Sequence, residues 1–233
     1  MKIALVGYGK MGKAIEKIAE AQGHTIVARL EEKPTEENIN DAEVAIEFST
    51  PSSAYENVTA CLELGVPVVC GTTAWLDKLP EVKELCKKHN GAFIYASNYS
   101  LGVNLFFEIN KRVAEIMHKY PEYSIRMEEI HHTEKKDAPS GTAITLAEEI
   151  IPVYGFEKWK LSDRTENNEL GIEAKRIQDV PGTHVVLYDS EVDEIEIKHV
   201  ARSRKGFASG ALLAAQWLVG KKGVFTMKDV LGF

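Results

Sequence analysis

Glycine spacing close to the N-terminus places the tightest limit on what this chain can fold into. Residues 3–6, Ile-Ala-Leu-Val, form the continuous apolar run of a strand buried on both faces. The chain then turns through Gly7-Tyr8-Gly9-Lys10-Met11-Gly12, and Ile15, Ile18 and Ala19 follow at helical spacing. A second strand-like run, His24 to Ala28, leads into Arg29-Leu30-Glu31-Glu32. Strand, glycine turn, helix, strand and acid in that order describe a dinucleotide-binding unit. The first two glycines allow a tight turn and bring backbone N–H groups close to a pyrophosphate. The third lets the helix pack on the strand, with its N-terminus facing the phosphates. Glu31 stands about twenty residues after the turn, where an acid is expected to hold the adenosine ribose hydroxyls. Glu32 is an equal candidate, and Lys33 beside them would instead suit a 2′-phosphate. An ordinary βα turn accounts for the glycines, and a solvated loop carboxylate for Glu31, but neither explains the whole arrangement.

The alternation continues. "EVAIEFST" reads as a strand, "SSAYENVTACLEL" as a helix, "VPVVCGTT" as a strand, "LPEVKELCKKH" as a helix and "AFIYASNYS" as a strand. This is the pattern of a Rossmann-like, doubly wound parallel sheet, whose ligand lies at the C-terminal strand ends. Those ends carry Phe48-Ser49, Gly71-Thr72-Thr73 and Ala96-Ser97-Asn98-Tyr99, small and hydroxylated residues that suit a nicotinamide ribose and its amide. The expected cofactor contacts are therefore Gly7, Tyr8, Gly9, Lys10, Met11, Gly12, Glu31, Phe48, Gly71, Thr72, Thr73, Ala96, Ser97, Asn98 and Tyr99.

After residue 100 the text changes character. "VNLFFEINKRVAEIMHKY" has helical spacing, whereas "YSIRMEEIHH", "GIEAKRIQ", "THVVLYDS" and "DEIEIKHVAR" mix apolar and charged positions. Such alternation predicts a mixed or antiparallel sheet with one solvated face, in a smaller α+β domain. The expected division is 1–100 for the dinucleotide-binding domain, completed by a C-terminal helix over 206–233, and 101–205 for the second domain. With 44% hydrophobic and 27% charged residues the chain has a globular balance, and its net charge of −7 disfavours nucleic acid as a partner. No apolar run approaches membrane-spanning length, and "MKIALVGYGKMGKAIEK" shows no signal-peptide cleavage pattern. Cys61, Cys70 and Cys86 have no disulfide or metal spacing, so a cytoplasmic protein with reduced thiols is expected.

The stretch "EIHHTEKKDAPSGTAITLAEEI", Glu129 to Ile150, gathers proton-handling groups in this acidic chain. His131 ends a strand, and imidazole is the side chain whose ordinary pKa suits proton transfer near neutrality. Ser140 is a natural N-cap, and Ile144, Leu146, Ala147 and Ile150 give helical periodicity. The N–H groups of Gly141 and Thr142 would thus sit at a helix N-terminus, a ready anion site beside Lys135. A lone histidine is usually structural, and a capped helix usually only that; two histidines in tandem followed by Lys135 weaken both readings. Adjacent histidines on a strand point to opposite sides and lack an i, i+4 partner, so no metal is expected. Asp137 is placed to orient Lys135 or the turn, and Lys136 is solvated. Arg202, Arg204 and Lys205 are the basic end of a strand or face the cofactor.

Together with "VGYGKMGKAI", "EFSTP", "CGTT", "SNYSLGVN" and "HVARSRKGFASGAL", the "HHTEKKDAPSGTA" core resembles the 4-hydroxy-tetrahydrodipicolinate reductase family, formerly called dihydrodipicolinate reductase, over essentially the whole chain. The resemblance implies NADH- or NADPH-dependent reduction of a cyclic dicarboxylate in the diaminopimelate route to lysine. It implies His131 as acid–base group, Lys135 as second proton donor and His132 as a substrate contact, beside the carboxylate cradle expected from Gly141, Thr142 and Lys135. It also implies a homotetramer assembled through the sheet of the second, substrate-binding domain.

This chain departs from the family pattern in three places. Its fingerprint is compact, with Lys10 where relatives often carry an extra residue and an arginine. Ala74 follows Gly71-Thr72-Thr73 where glycine is usual, restricting the loop. Glu32 stands where many relatives have arginine, which tilts the expectation toward NADH, although Lys10 and Lys33 keep NADPH open. Two other readings compete: another two-domain NAD(P)-dependent reductase, which would lack the His-His-x-x-Lys…Ser-Gly-Thr core, and a dinucleotide-sensing regulator, which would need no proton donor.

Overall fold

The computed structural model describes residues 1–203 and 205–233. The chain divides into two compact units, Met1–Leu101 with Lys205–Phe233, and Gly102–Arg204. In chain order the first unit opens with β1 (Lys2–Val6), α1 (Lys10–Ala21), β2 (Thr25–Leu30), β3 (Val44–Glu47), α2 (Pro51–Glu63), β4 (Val68–Cys70), α3 (Leu79–Lys88) and β5 (Ala92–Tyr95). Then come α4 (Leu101–Met117), β6 (Ser124–His131), α5 (Gly141–Tyr154), β7 (Lys158–Leu161), β8 (Glu169–Arg176), β9 (Thr183–Asp189) and β10 (Glu194–Val200). The chain returns to the first unit as α6 (Lys205–Leu218), β11 (Gly223–Phe225) and α7 (Met227–Leu231).

In the first unit six strands run in the order β11-β5-β4-β3-β1-β2, all parallel. Such a sheet is covered on both faces, and the burial is correspondingly complete: Ile3, Leu5, Ile46, Val69 and Ile94 look toward α1 and α6, while Ala4, Val6, Ala45, Val68 and Phe93 look toward α2 and α3. The strand order reverses between β1 and β3, which makes their C-terminal ends the topological switch point where ligands of such folds bind. The segment expected as one helix over 206–233 is instead helix, strand and helix. Gly220 at φ 79° and Gly223 at φ 128° take backbone conformations that end α6 and let β11 add to the sheet edge beside β5.

The second unit holds a five-stranded sheet in the order β10-β9-β6-β8-β7. It is mixed: β6, β8 and β7 run parallel, and β9 pairs antiparallel with both β6 and β10. The alternation that marks one solvated face is present, but it does not report strand direction. Direction follows from α5, which leaves β6, packs on β6, β7 and β8, and so carries the chain back to a parallel start. Strand β7 carries little apolar signal and escapes the periodicity altogether. Ile125, Met127, Leu146, Ile150, Leu170, Ile172, Val186 and Tyr188 form the core between this sheet and its helices. Among the described residues no helix is long and apolar enough to cross a membrane.

Candidate active site

In the first unit the glycine turn connects β1 to α1. Gly7 lies at φ 91°, and a Cβ there would meet the Phe48 carbonyl oxygen at 2.1 Å, so the loops after β1 and β3 can approach only at a residue without a side chain. A Cβ on Gly12 would lie 2.5 Å from the Gly7 oxygen, the close helix–strand approach that the third glycine serves. A Cβ on Gly9 would meet nothing within 4 Å. That open space lies at the N-terminus of α1, on the rim of a cavity of about 470 Å³ lined by Gly9, Lys10, Met11, Phe48, Ser49, Pro51, Gly71, Thr72 and Thr73. Backbone donors, a cation and an uncluttered glycine turn fit a dinucleotide pyrophosphate. Tyr8, Arg29, Leu30, Glu31 and Glu32 line a second cavity of about 340 Å³.

Glu47 organises the walls of the first cavity, and sequence reasoning missed it. It is fully buried at the end of β3, in register with Val6 and Cys70. Its carboxylate accepts from the Ser49 amide at 3.0 Å, the Ser49 hydroxyl, the Thr72 hydroxyl at 3.1 Å and the Cys70 thiol at 2.9 Å. Burial and this carboxylate push the Cys70 thiol well up, so sulfur keeps its proton and donates. The loops after β3 and β4 are thereby tied to one buried group.

Of the expected cofactor contacts on the last strand end, Tyr99 has another task. It is 1% exposed, and its hydroxyl donates to the Cys70 oxygen at 2.7 Å, with its ring edge-on to Phe48. The side chain belongs to the core, because the strand has ended and α4 has not yet begun, leaving the ring free to turn inward. Asn98 is buried with its Oδ1 accepting from the Ser100 amide, Ala96 packs on the core, and Ser97 is exposed. None of these four lines either cavity of the first unit.

In the second unit, β6 places Ile125, Met127, Glu129 and His131 on one face, all buried. The row is apolar where it meets the core and ionisable at its end. His131 Nδ1 is hydrogen-bonded to Glu129 Oε2, and Arg176 Nη2 donates to Glu129 Oε1 at 2.9 Å. Burial pushes the Glu129 carboxyl up, but the bonds from His131 and Arg176 outweigh it and hold the group below its ordinary value. An ionised carboxylate only accepts, so Nδ1 carries hydrogen and Nε2 is the ring atom left to gain or lose a proton. Pairing register explains the gathering: His184 on β9 lies opposite Glu129, and Arg176 on β8 opposite His131. His184 Nε2 meets the Ser140 hydroxyl at 3.0 Å, and burial drives its pKa down to about 3, keeping it neutral.

Glu129, His131 and His184 offer ligand atoms within 4.8 Å of one another, a set that could attract a metal ion. Both Glu129 oxygens are already bonded, one to His131 and one to Arg176, so the cluster is arranged to hold a proton rather than a cation. His132 lies on the opposite side and lines a cavity of about 310 Å³ with Glu134, Asp179, Val180, Pro181 and Ser203.

Between β6 and α5 runs the loop bearing Lys135, whose ammonium donates to Asp137 at 2.8 Å; Lys136 is exposed. Burial raises the Asp137 carboxyl, but the hydrogen bond from Lys135, a backbone hydrogen bond and the nearby Lys135 and Arg176 charges together outweigh it and hold the group below its ordinary value. Ser140 caps α5, accepting from the Ala143 amide at 3.2 Å, which leaves Gly141 and Thr142 as the first two helical residues. A Cβ on Gly141 would meet nothing within 4 Å. Arg202 is exposed, Lys205 begins α6, and Arg204 lies outside the described residues.

Two family profiles match: "Dihydrodipicolinate reductase, N-terminus" over residues 1–99 and "Dihydrodipicolinate reductase, C-terminus" over residues 102–231. The chain belongs to the dihydrodipicolinate reductase family. A 4-hydroxy-tetrahydrodipicolinate reductase of Christiangramia forsetii is 52% identical over 99% of this chain and 98% of the relative, and one of Thermosipho africanus is 34% identical over the same shares. A dipicolinate-bound dihydrodipicolinate reductase from Paenisporosarcina sp. TG-14 has the same fold, with TM-score 0.76, 22% identity and 97% of each chain covered. Against that family background, Glu129, Arg176 and His184 are residues the sequence reading passed over. Only Glu129 left a local trace, two positions before His131 on the same strand face.

Proposed function

We propose that this chain reduces 4-hydroxy-tetrahydrodipicolinate to tetrahydrodipicolinate with NADH or NADPH, the step of that name in the diaminopimelate route to lysine. One observation carries the reading: a buried carboxylate fixes Nδ1 of His131, while the following loop delivers Lys135 and leads into the N-terminus of α5. Two substrate carboxylates need cations and amide dipoles, and Lys135 with the N–H groups of Gly141 and Thr142 supplies them. His132 is the further substrate contact. The reaction also needs a proton at the reduced ring, delivered by Nε2 of His131 or by the Lys135 ammonium. A bound dihydronicotinamide supplies the hydride from C4, and the 4-hydroxyl departs as water in the overall reaction.

The cofactor's pyrophosphate would lie against Gly9, Lys10 and Met11, on the turn that Gly7 and Gly12 allow, with Phe48, Ser49, Gly71, Thr72 and Thr73 along the adjoining wall. NADH is the preferred form. Arg29, the cation of the adenosine-side cavity, is already bound to Glu16, through Nε at 2.7 Å and through Nη2, and Glu31 and Glu32 line the same space. A 2′-phosphate entering there would meet two carboxylates and a neutralised guanidinium. The protein acts as a homotetramer through the second sheet; the unpaired edge of β10, with Ile195 exposed on one face and Val200 on the other, supports a partner at that edge.

The test is stopped-flow oxidation of NADH and NADPH with enzymatically generated substrate, with pyridine-2,6-dicarboxylate as competitor. Turnover should be abolished or crippled in His131→Gln and Lys135→Ala. Full kcat in His131→Gln would remove His131 from its role, and a Lys135→Ala change confined to KM would make Lys135 a binder. Cofactor binding without turnover would indicate a sensor.

A further inference from the structure

We infer that Arg176 is the positioning residue that joins the two proton-bearing side chains into one unit, and that its planar fork, not merely its charge, is what the reaction requires. The inference rests on the assignment of His131 and Lys135 to proton transfer.

Arg176 ends β8, opposite His131 in the parallel register. Its guanidinium makes four bonds, to groups on β6, on the loop that follows it and on its own strand. Nη2 donates to Glu129 Oε1 at 2.9 Å and to the Asp137 oxygen at 2.6 Å. Nε donates to the Lys135 oxygen at 3.3 Å, and Nη1 to the Lys175 oxygen at 2.7 Å. One rigid group therefore holds the carboxylate that fixes the His131 ring and, at the same time, the backbone on either side of Lys136. Beyond the Lys135 amide bond to the His132 oxygen at 3.1 Å and the Lys135–Asp137 pair, burial does little for the loop, since Thr133, Glu134, Lys136, Asp137 and Ala138 are exposed. A loop of that kind samples many conformations unless its carbonyls are bonded, and a catalytic ammonium on it would wander by more than the reaction tolerates.

Lysine at this position would preserve the positive charge but not the geometry. An ammonium offers three donors from a single point, and cannot reach a carboxylate and three carbonyls spread around a plane. Arg176 also sets the charge balance at His131. The charged and titratable groups around that ring are Glu129 from its own strand, His184 from β9 and Arg176 from β8, with the Lys135–Asp137 pair on the loop whose backbone Arg176 holds. Removing the guanidinium leaves the Glu129 carboxylate answered by His131 alone, so the Glu129–His131 pair must bind its proton more tightly.

The experiment compares Arg176→Ala, Arg176→Lys and His131→Gln with the unaltered protein, reading kcat, KM for cofactor, and the pH profile of kcat, with and without millimolar guanidinium or ethylammonium. Thermal unfolding and cofactor binding confirm that each variant is folded; should Arg176→Ala not fold, Arg176→Lys carries the comparison. The expected result is a kcat lower by about 10- to 100-fold in both Arg176 variants, with cofactor KM unchanged. In Arg176→Ala the limb belonging to the Glu129–His131 pair should move to higher pH, and guanidinium, not ethylammonium, should restore part of kcat and return the limb. An unshifted pH profile in folded Arg176→Ala overturns the inference, whatever the size of the kcat loss, and so does full activity in Arg176→Lys, where the charge and hence the limb stay in place. His131→Gln separates the two claims: if it keeps full kcat, the assignment of His131 fails; if it is crippled while the Arg176 variants behave as the unaltered protein, only the role of Arg176 fails.

Discussion

A Cβ placed on Gly182 would lie 3.0 Å from Nε2 of His131 and 3.2 Å from its Cδ2. The ring cannot yield, because Glu129 holds it from the Nδ1 side. Glycine at 182 therefore keeps clear the one ring atom able to exchange a proton. Gly182→Ala should lower kcat by about 10-fold or more through displacement of the ring. The measurement is kcat below the unfolding temperature, with cofactor affinity as the control. Unchanged kcat would mean that the Nε2 edge of His131 takes no part in turnover.

Ala74 sits at φ 61°, the left-handed conformation that costs a residue with a Cβ about 1–2 kcal/mol. Glycine removes that cost but gives back about 0.5–1 kcal/mol in unfolded-chain entropy. Ala74→Gly should leave the protein more stable by about 0.5–1 kcal/mol, seen as a higher midpoint in urea at unchanged slope. A lower midpoint would show that the alanine methyl makes a contact worth more than the strain.

His184 gives stability a definite pH dependence. In the folded chain its pKa is about 3, against an ordinary 6.5. Above pH 6.5 it is neutral folded or unfolded and contributes no slope. As pH falls from 6.5 toward 3 the unfolded chain takes up a proton that the folded chain refuses, so stability is lost, by about 2 kcal/mol at pH 5. His199, also depressed by burial, acts in the same direction, while Glu129 adds its own loss as pH falls below its ordinary value toward its lowered folded one. Denaturation series between pH 7 and 5 should show this decline, and His184→Gln should flatten it. An equal decline in His184→Gln would assign the slope elsewhere.

Glu16 receives hydrogen bonds from Tyr8 and Arg29, which hold its carboxyl below the ordinary value. Glu16→Gln should release the guanidinium for a 2′-phosphate, raising the NADPH-to-NADH ratio of kcat/KM by about five-fold, the scale of one exposed ion pair. A ratio that does not move would place the cofactor's ribose away from Arg29.

How far the chain could be read without coordinates depended on the range of the interactions involved. The glycine turn, the strand–helix alternation of the first hundred residues, the Ser140 cap and the placement of His131 at a strand end are written in neighbouring residues, because each follows from backbone sterics or side-chain periodicity within one element. Glu129 was legible in principle, since residues two apart on a strand share a face. Its partners were not. His184 and Arg176 come from strands far along the chain, and they meet the pair only because register sets them opposite Glu129 and His131. The same reason hid the parallel pairing of β6 with β8, the addition of β11 to the first sheet and the inward turn of Tyr99. Local pattern determines which face of a strand is buried; which strand lies alongside, and therefore which charges share that burial, is decided by the packing of whole elements against a common core.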